Sequence, residues 1–285
     1  MTSIGFLLHP ENDRAVDVAR ELIDWLMSRG HEVRLVPSDA HRCDLPHLGV
    51  PEAEIAIGLD LFVGLGGDGT MLRAVQLVSD DGIAVLGVNL GQLGYLAPIE
   101  PDGARVALKR FLAGDVRYEE RMRIAIAVHR VSGETEHSAV ALNEAILERS
   151  SLGHTVRIGV ELDRNEFTSY VADGLIVATP TGSTAYAFSA RGPIVDPRYK
   201  ALVVVPVSPH MLFDRALVLD PTTSVRMVVQ GARAAHLSVD GQSVGVLDPG
   251  DAVVCSVAER PARFARIGDL SFHEILTAKF GLAQR

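Results

Sequence analysis

The sequence predicts an α/β N-terminal half built on a parallel sheet, followed by a β-rich, sandwich-like half. Three observations predict it. Helical and strand periodicities alternate over the first 115 residues, a glycine-rich turn joins a buried strand to a helix, and from about Val116 the pattern changes to short alternating strands. The expected organisation is an α/β domain over 1–115, a β-rich domain over 116–260 and a tail over 261–285.

In the first half, Ile4 to Leu8 form an apolar strand and Gly30 stops a helix over 13–29 that carries Val16, Ala19, Leu22, Ile23 and Leu26 on one face. His31 to Val36 is a second strand, giving the β-α-β start of a parallel, Rossmann-like sheet. The segment 37–51 reads as an irregular loop; its His41, Cys43, Asp44 and His47 match no zinc spacing. A third strand runs into Gly64-Leu65-Gly66-Gly67-Asp68-Gly69-Thr70, and a helix over 70–79 follows with Met71, Leu72, Ala74, Val75 and Val78 spaced for one face. Ile83 to Val88 is another buried strand, leading into Asn89-Leu90-Gly91-Gln92-Leu93-Gly94-Tyr95-Leu96, and 101–113 is a helix.

In the second half, Met122, Ile124, Ile126 and Val128 alternate with polar or small residues, as in a half-buried antiparallel strand. Further strands are expected at 138–148, 155–162, 166–171, 174–178, 201–206, 223–230, 235–239 and 251–257, and a short amphipathic helix at 272–280.

Composition narrows the function. The chain has 285 residues, 47% hydrophobic and 22% charged, with a net charge of -9, which argues against a protein whose main task is gripping nucleic acid. Two distant cysteines form no disulfide framework, the first residues read as a strand and not as a signal peptide, and no apolar run spans a bilayer. A cytoplasmic setting without membrane association is therefore expected.

Strand, glycine turn and helix offer free backbone N–H groups to a phosphate. Asp68 is the unusual member, because a carboxylate repels phosphate; it suits a general base for a hydroxyl or a contact to a metal accompanying phosphates. The plainer reading is a turn in which Asp68 caps its helix. Asn143-Glu144 sits in an apolar strand, where adjacent side chains point apart unless a bulge or strand end intervenes. The pair suits two sugar hydroxyls, or else satisfies backbone groups at an irregularity. The stretch 179–189 packs Thr181, Ser183, Thr184, Tyr186 and Ser189 around Pro180 and Gly182, a density that favours ligand binding over a simple turn. Asp240-Gly241-Gln242 reads most simply as a hairpin turn, with ligand contact by Gln242 as the alternative, and His210 is given no catalytic role.

Taken together, these segments resemble the NAD kinase family in identity and order over roughly residues 60 to 245. The resemblance implies an NAD-kinase-like two-domain fold whose tail returns to the first domain. It implies phosphorylation of the adenosine-ribose 2′-hydroxyl of NAD to NADP, with ATP or polyphosphate as donor and Mg²⁺ or another divalent cation. By that match Asp68 is the proton acceptor, and Gly67 and Gly69 contribute backbone contacts. Arg73 is the basic position near phosphate. Asn143 and Glu144 hold the nucleotide, Asp173 lies near the nicotinamide end, and Thr181, Thr184, Ala185, Tyr186 and Ser189 wrap the dinucleotide. His154 and Gln242 are further ligand contacts, and no residue is singled out as a metal ligand. Family members assemble as homodimers or homotetramers, with small-molecule nucleotides as partners. Catalysis is expected in the crevice between the two halves. The chain departs from the family pattern at Arg191, where glycine is usual, and at Val205 and Ala216. The competing readings are a lipid kinase of the diacylglycerol kinase type, which shares the glycine turn, and a non-catalytic NAD(P)-binding sensor.

Overall fold

The computed structural model describes residues 1–91, 94–133, 135–151, 153–268 and 271–282. Gln92 and Leu93 of the second glycine segment, and the last three residues of the tail, lie outside them. The chain divides into two compact units, Met1–Glu120 with Ala262–Arg285, and Arg121–Pro261.

The first unit runs β1 (Ser3–Leu8), α1 (Asp13–Met27), β2 (Glu32–Leu35), α2 (Pro37–Arg42), β3 (Leu61–Leu65), α3 (Asp68–Val78), β4 (Ala84–Val88), α4 (Pro101–Leu112) and β5 (Arg117–Arg121, whose last residue belongs to the second unit). Its six-stranded sheet has the order β2-β1-β3-β4-β18-β5, where β18 (Ala262–Arg266) comes from the end of the chain and the β2-β1, β1-β3, β3-β4 and β4-β18 neighbours are parallel. Strands buried on both faces read as continuous apolar runs, as β1, β3 and β4 do. Ile4, Phe6, Val63 and Leu86 share one core with Ala19, Leu22, Ile23 and Leu26 of α1 and with Ala104 and Leu108 of α4. Gly64 brings β3 against Met71 and Ala74 of α3: a Cβ there would lie 2.6 Å from the Met71 sulfur.

Two expectations change here. The segment 37–51 is not wholly irregular, since Pro37 starts α2, where a missing N–H costs nothing, and Pro46–Leu48 form a 3₁₀ turn. Helix α3 begins at Asp68, with Gly67 as its N-cap and no side-chain cap, so Asp68 does not cap it. After the second unit the chain returns through β18 (Ala262–Arg266), parallel to β4, before α6 (Phe272–Phe280).

The second unit contains β6 (Ile124–His129), β7 (Thr135–Ala141), β8 (Glu144–Arg149), β9 (Val156–Leu162), β10 (Asn165–Ala172), β11 (Gly174–Ala178) and α5 (Tyr186–Ser189). It continues with β12 (Leu202–Val207), β13 (Leu217–Leu219), β14 (Val225–Gln230), β15 (Ala235–Val239), β16 (Gln242–Leu247) and β17 (Ala252–Val257). They form two six-stranded sheets, β10-β9-β14-β17-β6-β7 and β13-β12-β11-β8-β15-β16. One core joins them: Ile126, Val128, Ile158 and Val160 of the first meet Leu147, Leu175, Val177 and Leu237 of the second. The other face of the second sheet buries Ile146, Ile176, Ala178 and Val203 with Ala187 of α5. The strand expected at 138–148 is in fact two strands in different sheets, β7 and β8, joined at Leu142-Asn143. In the same way β10 and β11 belong to different sheets and meet at Asp173. No helix among the described residues is long and apolar enough to cross a membrane.

Candidate functional site

In the first unit the chemistry gathers at the C-terminal ends of the parallel strands. From β1 the chain passes to β2 on one side, and from β3 to β4 on the other, so the order reverses between β1 and β3, the position at which open α/β sheets bind ligands. His9 N–H donates to the Leu65 carbonyl at 2.9 Å, and Gly66 N–H to the Val88 carbonyl at 2.9 Å, which ties the three strand ends together. Gly66 is needed for packing, because a Cβ there would lie 2.2 Å from Thr70 Oγ1. Gly67 and Gly69 are different: a Cβ at either meets nothing within 4 Å. Nothing in the fold demands glycine at these two positions, and both leave open space over the N-terminus of α3, whose first N–H groups have no partner within the helix.

Asp68 reaches across to the second glycine segment. Its Oδ2 accepts the Tyr95 N–H at 3.0 Å and its Oδ1 the Leu96 N–H at 2.9 Å. Gly94 allows the approach, since a Cβ there would stand 2.2 Å from Oδ1. The carboxylate is thus held in one orientation by groups 27 and 28 residues away, with a lone pair on each oxygen to spare. Arg73 lies further along α3, half-exposed, and pairs with Glu52 at 2.5 Å.

In the second unit the organising residue is Asp240, which its local sequence marks only as part of a hairpin turn. It is in that turn: Asp240 and Gly241 have φ of 46° and 78°, as a two-residue type I′ connection requires. Its carboxylate also accepts three backbone N–H groups, from Leu142 at 2.8 Å, Asn143 at 2.8 Å and Glu144 at 3.0 Å. Asp240 thereby satisfies the backbone where the chain crosses between sheets, and Asn143 and Glu144 do not spend their side chains on that task. Aspartate in an Asp-Gly turn is so common that no local signal distinguishes this one.

Strand alternation places Glu144 on the face of Ile146, opposite Ala178 of β11, where the chain enters the hydroxyl-rich segment. Glu144 is 7% exposed and its Oε2 has no hydrogen-bond partner, an unsatisfied state that buried carboxyls rarely keep without a ligand. Burial pushes its pKa up to about 8, with the Asp240 carboxylate adding to the effect. Burial raises Asp240 as well, against three N–H donors that pull it down. Thr179 closes the group: its hydroxyl donates to the Leu142 carbonyl at 2.5 Å and accepts the Gly182 N–H at 3.1 Å. Ser183 is consumed structurally, donating to the Pro180 carbonyl and accepting the Val195 N–H. Thr181 is buried in this turn, and the Thr184 hydroxyl donates to its carbonyl at 3.2 Å.

Gly182 locks the segment to the crossing point. A Cβ there would lie 2.1 Å from the Asn143 carbonyl oxygen and 2.8 Å from its Cα, both backbone atoms. Gly182→Ala is therefore expected to force the two segments apart, costing roughly 1–3 kcal/mol and weakening nucleotide binding. A urea midpoint and an NAD titration on the same variant check this; an unchanged pair of values would contradict the role given to the contact.

Of the remaining predicted residues, Tyr186 and Ser189 fall around a second focus, and the others are placed separately. Asp173 sits at the far end of β11 from Thr179 and pairs with Arg149 at 3.2 Å. Ala185 joins a 3₁₀ turn, Gly182–Thr184, to α5. Tyr186 is exposed at the start of α5, and its phenol is pushed up by burial and by the carboxylates of Glu148 and Asp173. Tyr186 and Ser189 line a cavity of about 430 Å³ together with Arg191, Val205, Ser208 and Ala216. Arg191 has φ of 65°, a left-handed conformation that glycine adopts without strain, which gives a physical reason for glycine being usual there. Its exposed side chain stands at the cavity. His154 is exposed in the loop before β9, away from any described hydrogen bond, and Gln242 is exposed at the start of β16.

Comparison with known proteins gives this arrangement a family. Residues 4–116 match the model of the ATP-NAD kinase N-terminal domain, and residues 142–267 that of the ATP-NAD kinase C-terminal domain. The chain is 39% identical over 281 residues to the NAD kinase of Heliobacterium modesticaldum, covering 98% of each. It is 34% identical over 286 residues to that of Geotalea daltonii, covering 100% of both. The fold is shared with the yeast NADH kinase complexed with NADH (TM-score 0.91, 24% identity, 100% of this chain and 89% of that one). It is also shared with the NAD kinase from Archaeoglobus fulgidus in complex with ATP (TM-score 0.75, 23% identity, 98% of each). With both domain models matched in order and relatives aligned end to end, the chain belongs to the NAD kinase family.

Proposed function

We propose that the chain transfers a phosphoryl group from ATP to the 2′-hydroxyl of the adenosine ribose of NAD, giving NADP. The observation that carries this is the near full-length identity to relatives named NAD kinase. The site residues fit the reaction in the following way. Asp68, with a lone pair to spare on each oxygen, accepts the proton of the ribose hydroxyl. The hydroxyl oxygen then bonds to the terminal phosphorus, the bond from that phosphorus to the bridging oxygen breaks, and ADP leaves with the electron pair. The open backbone at Gly67 and Gly69, over the N-terminus of α3, suits the donor phosphates. Glu144 and Asn143 meet the nucleotide's sugar hydroxyls. Thr181, Thr184, Ala185, Tyr186 and Ser189 follow the dinucleotide, with Asp173 toward its nicotinamide end. Arg73, His154 and Gln242 are the outlying contacts.

A divalent ion such as Mg²⁺ would neutralise charge on the transferred phosphoryl group. Among the described residues no three His, Cys, Asp or Glu side chains cluster to hold a metal by themselves. A lone Asp68 carboxylate fits an ion that arrives on the donor phosphates, the mode in which Mg²⁺ keeps most of its waters. Assembly as a homodimer or homotetramer belongs to the same proposal and rests on the family resemblance. A cytoplasmic site of action goes with this reading.

Incubation with NAD, Mg²⁺ and either ATP or polyphosphate, read by an NADP-dependent dehydrogenase, tests the activity. NADP is expected with at least one donor. NAD binding without NADP from any donor would leave a sensor in place of an enzyme.

A further inference from the structure

We infer that the C-terminal helix α6 is a positioning element for Asp68, acting through Tyr95. The inference rests on the reading of Asp68 as the base. The Asp68 carboxylate takes its orientation from the peptide N–H groups of Tyr95 and Leu96, at 3.0 and 2.9 Å. Gly94 packs against the same carboxylate, so a shift of this backbone moves the base with it. Residues 94–98 belong to no helix or strand; the backbone of Leu96 and Ala97 packs on Gly87 of β4, and Tyr95 is held from its ring side.

The Tyr95 ring packs against α6. Lys279 Nζ lies over the ring, 4.0 Å from its centroid, and the Phe272 ring is tilted against it with centroids 6.4 Å apart. Phe272 and Lys279 are seven residues apart, two helical turns, and so share a face of α6. Ile275, on the same side, is the buried residue that seats the helix. Its register is set at both ends. Ser271 and Glu274 form a reciprocal capping box, and Gly281 ends the helix with φ of 59°. A cation over the face of an aromatic ring and an aromatic tilted against it are both attractive arrangements. The tail thus holds the ring, the ring fixes the peptide groups, and the peptide groups aim the carboxylate.

The test uses the full-length chain with Lys279→Ala and Phe272→Ala, and with Lys279→Arg and Phe272→Tyr as conservative partners. Lys279 is exposed, so its replacement leaves the fold intact. The Ala variants are expected to lower kcat roughly two- to fivefold with the KM for NAD unchanged, and the conservative variants to restore it. Amide exchange of Tyr95 and Leu96, followed by NMR against Val63 in β3, is expected to accelerate selectively in the Ala variants. Unchanged kcat with unchanged exchange would overturn the inference, as would a loss that Arg and Tyr do not restore. If the wild-type chain makes no NADP, the reading of Asp68 as a base fails, while the exchange measurement still reports whether α6 fixes the peptide groups that hold it.

Discussion

Asp68→Asn is expected to lower NADP formation by roughly 10²- to 10⁴-fold, the range in which a positioned proton acceptor contributes. The carboxylate is the only part of the side chain that changes, yet the substitution is not silent structurally. Both oxygens accept a backbone N–H, from Tyr95 and Leu96. The amide keeps one acceptor and points an NH₂ at the other donor, which leaves a peptide group unpaired at a cost of about 1–3 kcal/mol. Denaturation of the variant therefore has to accompany the rate measurement, so that lost chemistry is separated from lost stability. Full activity in Asp68→Asn would remove Asp68 from the mechanism.

The second large effect is expected at Glu144 and depends on pH. Its folded pKa is about 8 against an ordinary 4.5, because burial and the neighbouring Asp240 carboxylate penalise the charged form. Between those two values the folded chain keeps a proton that the unfolded chain has released. The contribution of Glu144 is fully present below about pH 4.5 and is lost as pH rises toward 8, at up to about 1.4 kcal/mol per pH unit. Urea unfolding from pH 5 to 8.5 is expected to show a falling stability that Glu144→Gln, which mimics the protonated form, largely flattens. Parallel profiles for the two chains would contradict the buried, protonated state. A ribose held by two hydroxyl donors needs the ionised carboxylate, so NAD binding near pH 7 is expected to release a proton at this residue.

The parts that local sequence made legible share one property: their signal lies within a few residues. The helical face of Val16, Ala19, Leu22, Ile23 and Leu26 has a period of 3.6, and α1 forms over it. The glycines around Asp68 mark a strand-to-helix turn, and the structure places α3 there. The alternation at Met122 to Val128 marks a half-buried strand, and β6 follows. By contrast β5, with the sequence Arg-Tyr-Glu-Glu-Arg, has no apolar alternation to read. The strand β18 is short and gains its place by lying between β4 and β5, both far earlier in the chain.

For the candidate site the division is sharper. Sequence alone supplied the inventory of groups: the aspartate in a glycine turn, the Asn-Glu pair and the hydroxyl-rich segment. Only the tertiary structure decided their duties. Asp68 leaves its own helix uncapped to bind the peptide groups of Tyr95 and Leu96. Asp240 holds the crossing at 142–144 from 96 to 98 residues away, which leaves Glu144 buried with its Oε2 unpartnered. The physical reason is range. Periodicity and turn chemistry act over a few residues, and the sequence displays them directly. The orientation of a carboxylate depends on which peptide N–H groups the folded chain brings to it, and those come from distant segments that no local pattern connects.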